Sequence, residues 1–205
     1  MGLIDLNLYI HIPFCHSRCA YCHFYSQLDL TLIDSYLDAL QADFLSRNNI
    51  LDIRNKHLLK TIYFGGGSPS LLSPKQVARF LHFLKSNANF AQDLEITLEI
   101  NPKDVNIDIL EEFRREGVNR FSFGAQTLNC KIRRLIGRDG NLDKIKELLR
   151  KVRNSDFNFG VDFMYGLPEE KFADIKSSLG FIEKLRPNHV SFYELMQDNS
   201  TPLYY

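Results

Sequence analysis

A surplus of charge is the first thing this sequence lacks. Its 25 basic and 25 acidic side chains cancel, which removes any general electrostatic case for nucleic acid or an anionic membrane as partner. Long hydrophobic runs are missing as well, none reaching the roughly 18 residues of a membrane span. The first residues carry no basic flank, and Asp5 interrupts their apolar run, which argues against a signal peptide. Gly2 opens no myristoylation pattern, because Leu6 stands where Ser or Thr is needed. Cysteine is scarce: four in 205 residues are too few for a disulfide scaffold, yet three of them fall within eight residues. Repeats, low-complexity runs and linkers are absent. With 44% apolar residues, the chain reads as one soluble, cytoplasmic, globular domain over 1–205.

What is present is alternation. Six segments switch between apolar and polar with period two, the signature of a strand: Leu6–Ile12, Thr61–Gly65, Glu95–Asn101, Phe121–Gln126, Asn158–Phe163 and His189–Tyr193. Between them run five helical faces. These are Ile33, Tyr36, Leu37, Leu40 and Phe44; Val77, Phe80, Leu81 and Leu84; Ile107, Leu110 and Phe113; Leu142, Ile145, Leu148, Leu149 and Val152; and Phe172, Ile175, Leu179 and Ile182. Ser73-Pro74-Lys75-Gln76 reads as a capping box with Pro at the first helical position, and Gly117 as a helix stop. Strands alternating with helices imply an α/β fold with a parallel sheet.

The two parities of the strands differ. One is apolar, as in Ile10, Ile62, Leu98, Phe123, Val161 and Val190. The other is polar, small or phenolic: Tyr9 and His11; Tyr63 and Gly65; Thr97 and Glu99; Ser122, Gly124 and Gln126; Gly160 and Asp162; Ser191 and Tyr193. Helices must cover the first. The second then faces a shared concave space, where each unpaired buried polar group would cost about 1–3 kcal/mol, so water or a polar ligand should fill it. An antiparallel sheet with one wet face is the alternative, and the intervening helices argue against it. The expected architecture is a partial (β/α)6 TIM-like barrel, truncated after the sixth strand.

Cys15-His16-Ser17-Arg18-Cys19-Ala20-Tyr21-Cys22 follows the first strand directly, at the strand end where α/β folds bind ligands. Three thiolates so close suggest a soft or borderline metal centre. Structural zinc would take His16 or His23 as fourth ligand. An iron–sulfur cube held by three cysteines would leave one iron open. The apolar shell of Ile12, Pro13, Phe14, Ala20, Tyr21 and Phe24 suits a redox cluster, but spacing by itself leaves both open. Cys130, in a separate helical segment, reads as a small buried hydrophobe.

Five motifs carry a resemblance. They are Leu8-Tyr9-Ile10-His11-Ile12-Pro13-Phe14-Cys15 through Cys19 and Cys22, Gly65-Gly66-Gly67-Ser68-Pro69-Ser70, Leu98-Glu99-Ile100-Asn101-Pro102, Phe123-Gly124-Ala125-Gln126-Thr127, and Asp162-Phe163-Met164-Tyr165-Gly166-Leu167-Pro168. In this order they resemble the oxygen-independent coproporphyrinogen III oxidase family of radical S-adenosylmethionine (SAM) proteins, over essentially the whole chain, which would then be the radical SAM core. The resemblance implies a [4Fe–4S] cluster on Cys15, Cys19 and Cys22, whose fourth iron is chelated by SAM. Reductive cleavage of SAM would give methionine and a 5′-deoxyadenosyl radical that takes hydrogen from a substrate. It implies SAM contacts at Tyr9, Tyr21, Gly66, Gly67, Ser68, Glu99, Gln126, Arg138 and Asp162. Implied partners are a porphyrinogen or haem and an electron donor such as flavodoxin or ferredoxin. The Gly66-Gly67-Ser68 run, taken by itself, is an ordinary tight turn without a phosphate-loop or dinucleotide ending.

Departures from the family pattern also matter. Coproporphyrinogen-oxidising members carry Cys-Gly-Cys at the third cysteine, where Cys22-His23-Phe24 stands here. That places the chain closer to the family's haem-chaperone branch, which typically has Asp in place of His23. The sequence stops just after the sixth strand without the family's C-terminal region, so Val190 and Phe192 are expected to be exposed.

Overall fold

The structure, a computed structural model, describes residues 2–138, 140–196 and 198–204. Six strands form one sheet: β1 (Ile4–Ile12), β2 (His57–Gly66), β3 (Asn89–Ile100), β4 (Arg120–Gln126), β5 (Phe159–Tyr165) and β6 (His189–Glu194). All neighbours are parallel, and spatial order equals chain order. Parallel pairs need crossovers. Helices supply them: α1 (Ile33–Leu51) with the one-turn α2 (Ile53–Lys56), then α3 (Pro74–Asn87) and α4 (Ile107–Arg115), then α5 (Cys130–Leu135) with α6 (Leu142–Asn154), and α7 (Phe172–Leu185). When each strand follows its neighbour and crossovers share one hand, the helices fall on one face. The sheet therefore curls into an α/β half-barrel with a concave inner surface.

The apolar parity makes the core. Ile12, Ile62, Phe64, Leu98, Phe123, Val161 and Phe163 are all fully buried against Leu37 of α1, Val77 and Leu84 of α3, Phe113 of α4 and Leu149 of α6. Edge-to-face ring contacts tie sheet to helices, Phe64 to Phe80 at 6.2 Å among them. The capping box forms as expected. Ser73 Oγ accepts from the Gln76 amide at 3.2 Å, and Gln76 Oε1 accepts from the Ser73 amide at 2.8 Å.

Four strands start earlier than the alternation predicts, β4 by a single residue and β2 and β3 by the most. Register shifts fall between Leu6 and Asn7 on β1 and between Leu59 and Thr61 on β2, the latter also against β3. The residue skipped in the pairing is Lys60 of β2. A bulge breaks the period of two, so the pattern of β2 becomes readable beyond it at Thr61, and that of β3 at its partner Glu95. By contrast, β1 alternates unbroken from Ile4. Two further expectations are corrected. On α7, Phe172 and Leu179 are exposed, while Ser178 and Leu185 are buried. Phe192 is half-buried rather than open, its ring stacked on Tyr165 at 5.6 Å; Val190 is exposed as expected.

Candidate functional site

A cavity of about 330 Å³ opens at the C-terminal ends of the strands. Its walls are the polar parity: Tyr9 and His11 from β1, Glu99 from β3, Ser122, Gly124 and Gln126 from β4, Asp162 from β5 and Tyr193 from β6. Cys15, Cys19 and Cys22 line the same cavity, together with Tyr21, Gly66, Gly67, Ser68 and Arg138. All twelve residues singled out in the sequence thus meet at one place.

The cysteine loop is pinned from three sides. The Cys15 amide donates to the Gln27 carbonyl at 3.0 Å, and Phe14 bridges Gln27 in parallel fashion. The amides of Gly67 and Ser68 donate to Ile12 and Phe14 carbonyls at 2.9 and 2.8 Å, and the Ala20 amide donates to Ile136 at 3.0 Å. The approach at Gly67 leaves no room for a side chain. A Cβ there would lie 2.7 Å from the Phe14 carbonyl oxygen and 2.9 Å from Cys15 Sγ. Burial pushes the Cys15 thiol up, and the two neighbouring cysteines push it further; the Ser68 hydroxyl and Arg138 oppose them. Burial likewise raises Cys22, with Cys19 adding to it. Cys15 and Cys22 thus resist ionising, and a bound cation reverses that preference.

The remaining groups are preorganised. Glu99 accepts from Tyr63 OH at 2.8 Å on one oxygen and from the Gly66 amide at 3.1 Å on the other. Burial raises its pKa, those two donors lower it, and Asp162 raises it again. Asp162 accepts from Ser122 Oγ at 2.9 Å. Gln126, in the left-handed region at φ 65°, sits past a register shift in β4 and accepts from Tyr193 OH at 2.9 Å. Arg138 Nη2 reaches the Gly124 carbonyl only at 3.5 Å. Its Nε is buried and has no hydrogen-bond partner among the described residues. Tyr21 packs beside Arg138 and Cys19, and burial drives its phenol far above the ordinary value.

A family model for the radical SAM superfamily matches residues 9–182. The chain belongs to the radical SAM superfamily. Membership implies a [4Fe–4S] cluster and SAM as cofactors. Among the relatives of this radical SAM chain, the heme chaperone HemW of Buchnera aphidicola subsp. Schizaphis graminum is 33% identical over 204 residues, covering 98% of this chain and 54% of that protein. The oxygen-independent coproporphyrinogen III oxidase of Escherichia coli K12 is 32% identical over 191 residues, covering 92% and 41%. The solved structure of coproporphyrinogen III oxidase (HemN) from Escherichia coli superposes with a TM-score of 0.88 at 30% identity, covering 98% of this chain and 47% of that one. The chain thus spans about half the length of the curated relatives it matches.

The residues fit the implied cofactors. Three soft thiols suit iron, and a buried guanidinium nitrogen without a partner suits an anionic group. Sequence reading overlooked Tyr63 as the partner of Glu99, although it stood on the polar parity. It also overlooked Arg133, a buried residue whose Nη1 donates to the carbonyls of Ala125 at 2.7 Å and Thr127 at 3.3 Å, bracing the turn after β4. No pattern marks that role. Cys130 is corrected: it is exposed at the start of α5, not a buried hydrophobe.

Proposed function

We propose that this chain is the SAM-cleaving core of a protein in haem or porphyrin metabolism, resembling oxygen-independent coproporphyrinogen III oxidase and closer to its haem-chaperone branch. The observation that carries this reading is the convergence of the three cysteines and the polar strand ends on one cavity. In this reading Cys15, Cys19 and Cys22 hold the cluster. Glu99 and Asp162 present carboxylates to the ammonium or ribose hydroxyls of SAM, and Gln126 adds an amide. Arg138 takes the methionine carboxylate through the nitrogen that is otherwise unpartnered. Tyr9 and Tyr21 supply aromatic walls, while Gly66, Gly67 and Ser68 let the backbone approach closely. The bound cluster and SAM supply the reductive cleavage that generates a radical. The protein's part is to orient the ligand and exclude water. Cys22-His23-Phe24, in place of Cys-Gly-Cys, favours the haem-related branch, with porphyrinogen oxidation as the other outcome.

Anaerobic reconstitution is expected to give about four irons and four sulfides per chain. With a reductant and SAM, the protein should then yield 5′-deoxyadenosine. Cys15→Ala, Cys19→Ala or Cys22→Ala should abolish both. Cluster assembly without SAM binding would overturn the catalytic part. Haem titration, followed by its absorption bands, separates chaperone from oxidase. A second reading, a non-catalytic barrel with structural zinc on the cysteines and a histidine, has less support. Among the described residues no three His, Cys, Asp or Glu side chains converge as ligands of a single ion, whereas a cluster needs each thiolate to meet a different iron. One zinc and no acid-labile sulfide in anaerobically isolated protein would favour it.

A further inference from the structure

Glu99 lines the cavity, but the side chain that holds it does not. Tyr63 stands behind Glu99 on the neighbouring strand, outside the cavity wall, and its hydroxyl donates to Oε1 at 2.8 Å. Its ring stacks on Tyr9, centroids 6.0 Å apart and planes 23° from parallel. The two rings close over Gly65. A Cβ on Gly65 would lie 2.8 Å from the Tyr9 ring, 2.9 Å from the Tyr63 ring and 3.2 Å from Glu99 Oε1. A carboxylate offers about four acceptor sites. Tyr63 and the Gly66 amide occupy one on each oxygen, which fixes the plane of the carboxylate and leaves the remaining lone pairs for a ligand.

We propose that Tyr63 is a positioning residue that acts through Glu99, locking its carboxylate in the orientation that receives the hydrogen-bond donors of SAM. This rests on the reading of the cavity as the SAM site. Tyr63 is not among the residues that line the cavity. It removes the freedom of a glutamate that would otherwise have to be ordered on binding, and such ordering weakens affinity. Its hydroxyl also favours the ionised form, which is acceptor-only on both oxygens and the stronger acceptor. Several groups face Glu99 and set the balance. Tyr9 comes from β1, Tyr63 and the Gly66 amide from β2, Asp162 from β5 and Tyr193 from β6, while Arg120 of β4 acts on Tyr63.

The test is SAM affinity of the cluster-loaded chain as a function of pH, with iron content measured alongside. Tyr63→Phe keeps the ring and its stacking, so cluster content should not change. The SAM dissociation constant is expected to rise about tenfold, the scale of one hydrogen bond to a charged group. The acidic limb of binding should move to higher pH, because Glu99 loses a donor that holds its pKa down. In a Glu99→Ala background, Tyr63→Phe should add nothing further. Gly65→Ala should weaken binding by displacing the same ring pair. Unchanged affinity and pH profile in Tyr63→Phe, or an equal loss in the Glu99→Ala background, would overturn the assignment. Failure of the loaded wild-type chain to bind SAM would instead sink the underlying reading, and this assignment with it.

Discussion

Gly67 shows how little tolerance a single residue has near the cysteine loop. Its amide ties the loop after β2 to the Ile12 carbonyl at 2.9 Å, with Cys15 Sγ 2.9 Å from where a Cβ would sit. Backbone cannot swing away as the end of a flexible side chain can. Gly67→Ala is therefore expected to displace Cys15 at a stability cost of about 1–3 kcal/mol. It should lower iron incorporation on reconstitution, which metal analysis against the wild type would check. Individual residues were also where the sequence could mislead. The spacing of Cys15, Cys19 and Cys22 was legible because neighbours in sequence are neighbours in space. Cys130 was not, because burial depends on what packs over a helix end.

Among the elements, the helices were the easiest to read, since their faces and caps are local. Ser73 and Gln76 close their reciprocal bonds within a single turn. Ser73→Ala should destabilise the chain by about 1 kcal/mol while leaving SAM affinity unchanged, as denaturant melts paired with a binding assay would show. α7 is the exception. Its apolar spacing is regular, yet Phe172 is 71% and Leu179 51% exposed, because a periodic pattern records which residues share a face and not whether anything lies against it. β2 and β3 were legible only beyond their irregularity, whereas β4 was read across its own, from Phe121 to Gln126. At β4 the irregularity falls in the cavity wall: the shift between Gly124 and Gln126 coincides with the left-handed conformation of Gln126. Arg133 holds the following turn by its carbonyls.

For the molecule as a whole, a half-barrel leaves two sheet edges, β1 and β6. On β6, Val190 is 39% exposed, and an edge strand with exposed apolar side chains is a template for association. Val190→Lys is expected to reduce concentration-dependent self-association of this chain, measurable by sedimentation velocity. Equal sedimentation of the two proteins at all concentrations would remove the edge as its cause. The open shape also explains why the cavity sits where it does. Six strand ends converge only because the sheet curls, and curling requires the helices to crowd one face.

The sequence by itself determined the α/β alternation, the inward polar parity and the grouping of three thiols on one loop. Each is written within a few residues, in periodicity or spacing. Only the tertiary structure decided which polar groups meet across strands. Tyr63 and Glu99 are 36 residues apart in the chain, and Gln126 and Tyr193 are 67 apart. Such pairs depend on the register of parallel strands, and bulges set that register through hydrogen bonds to a neighbouring strand that no local pattern records.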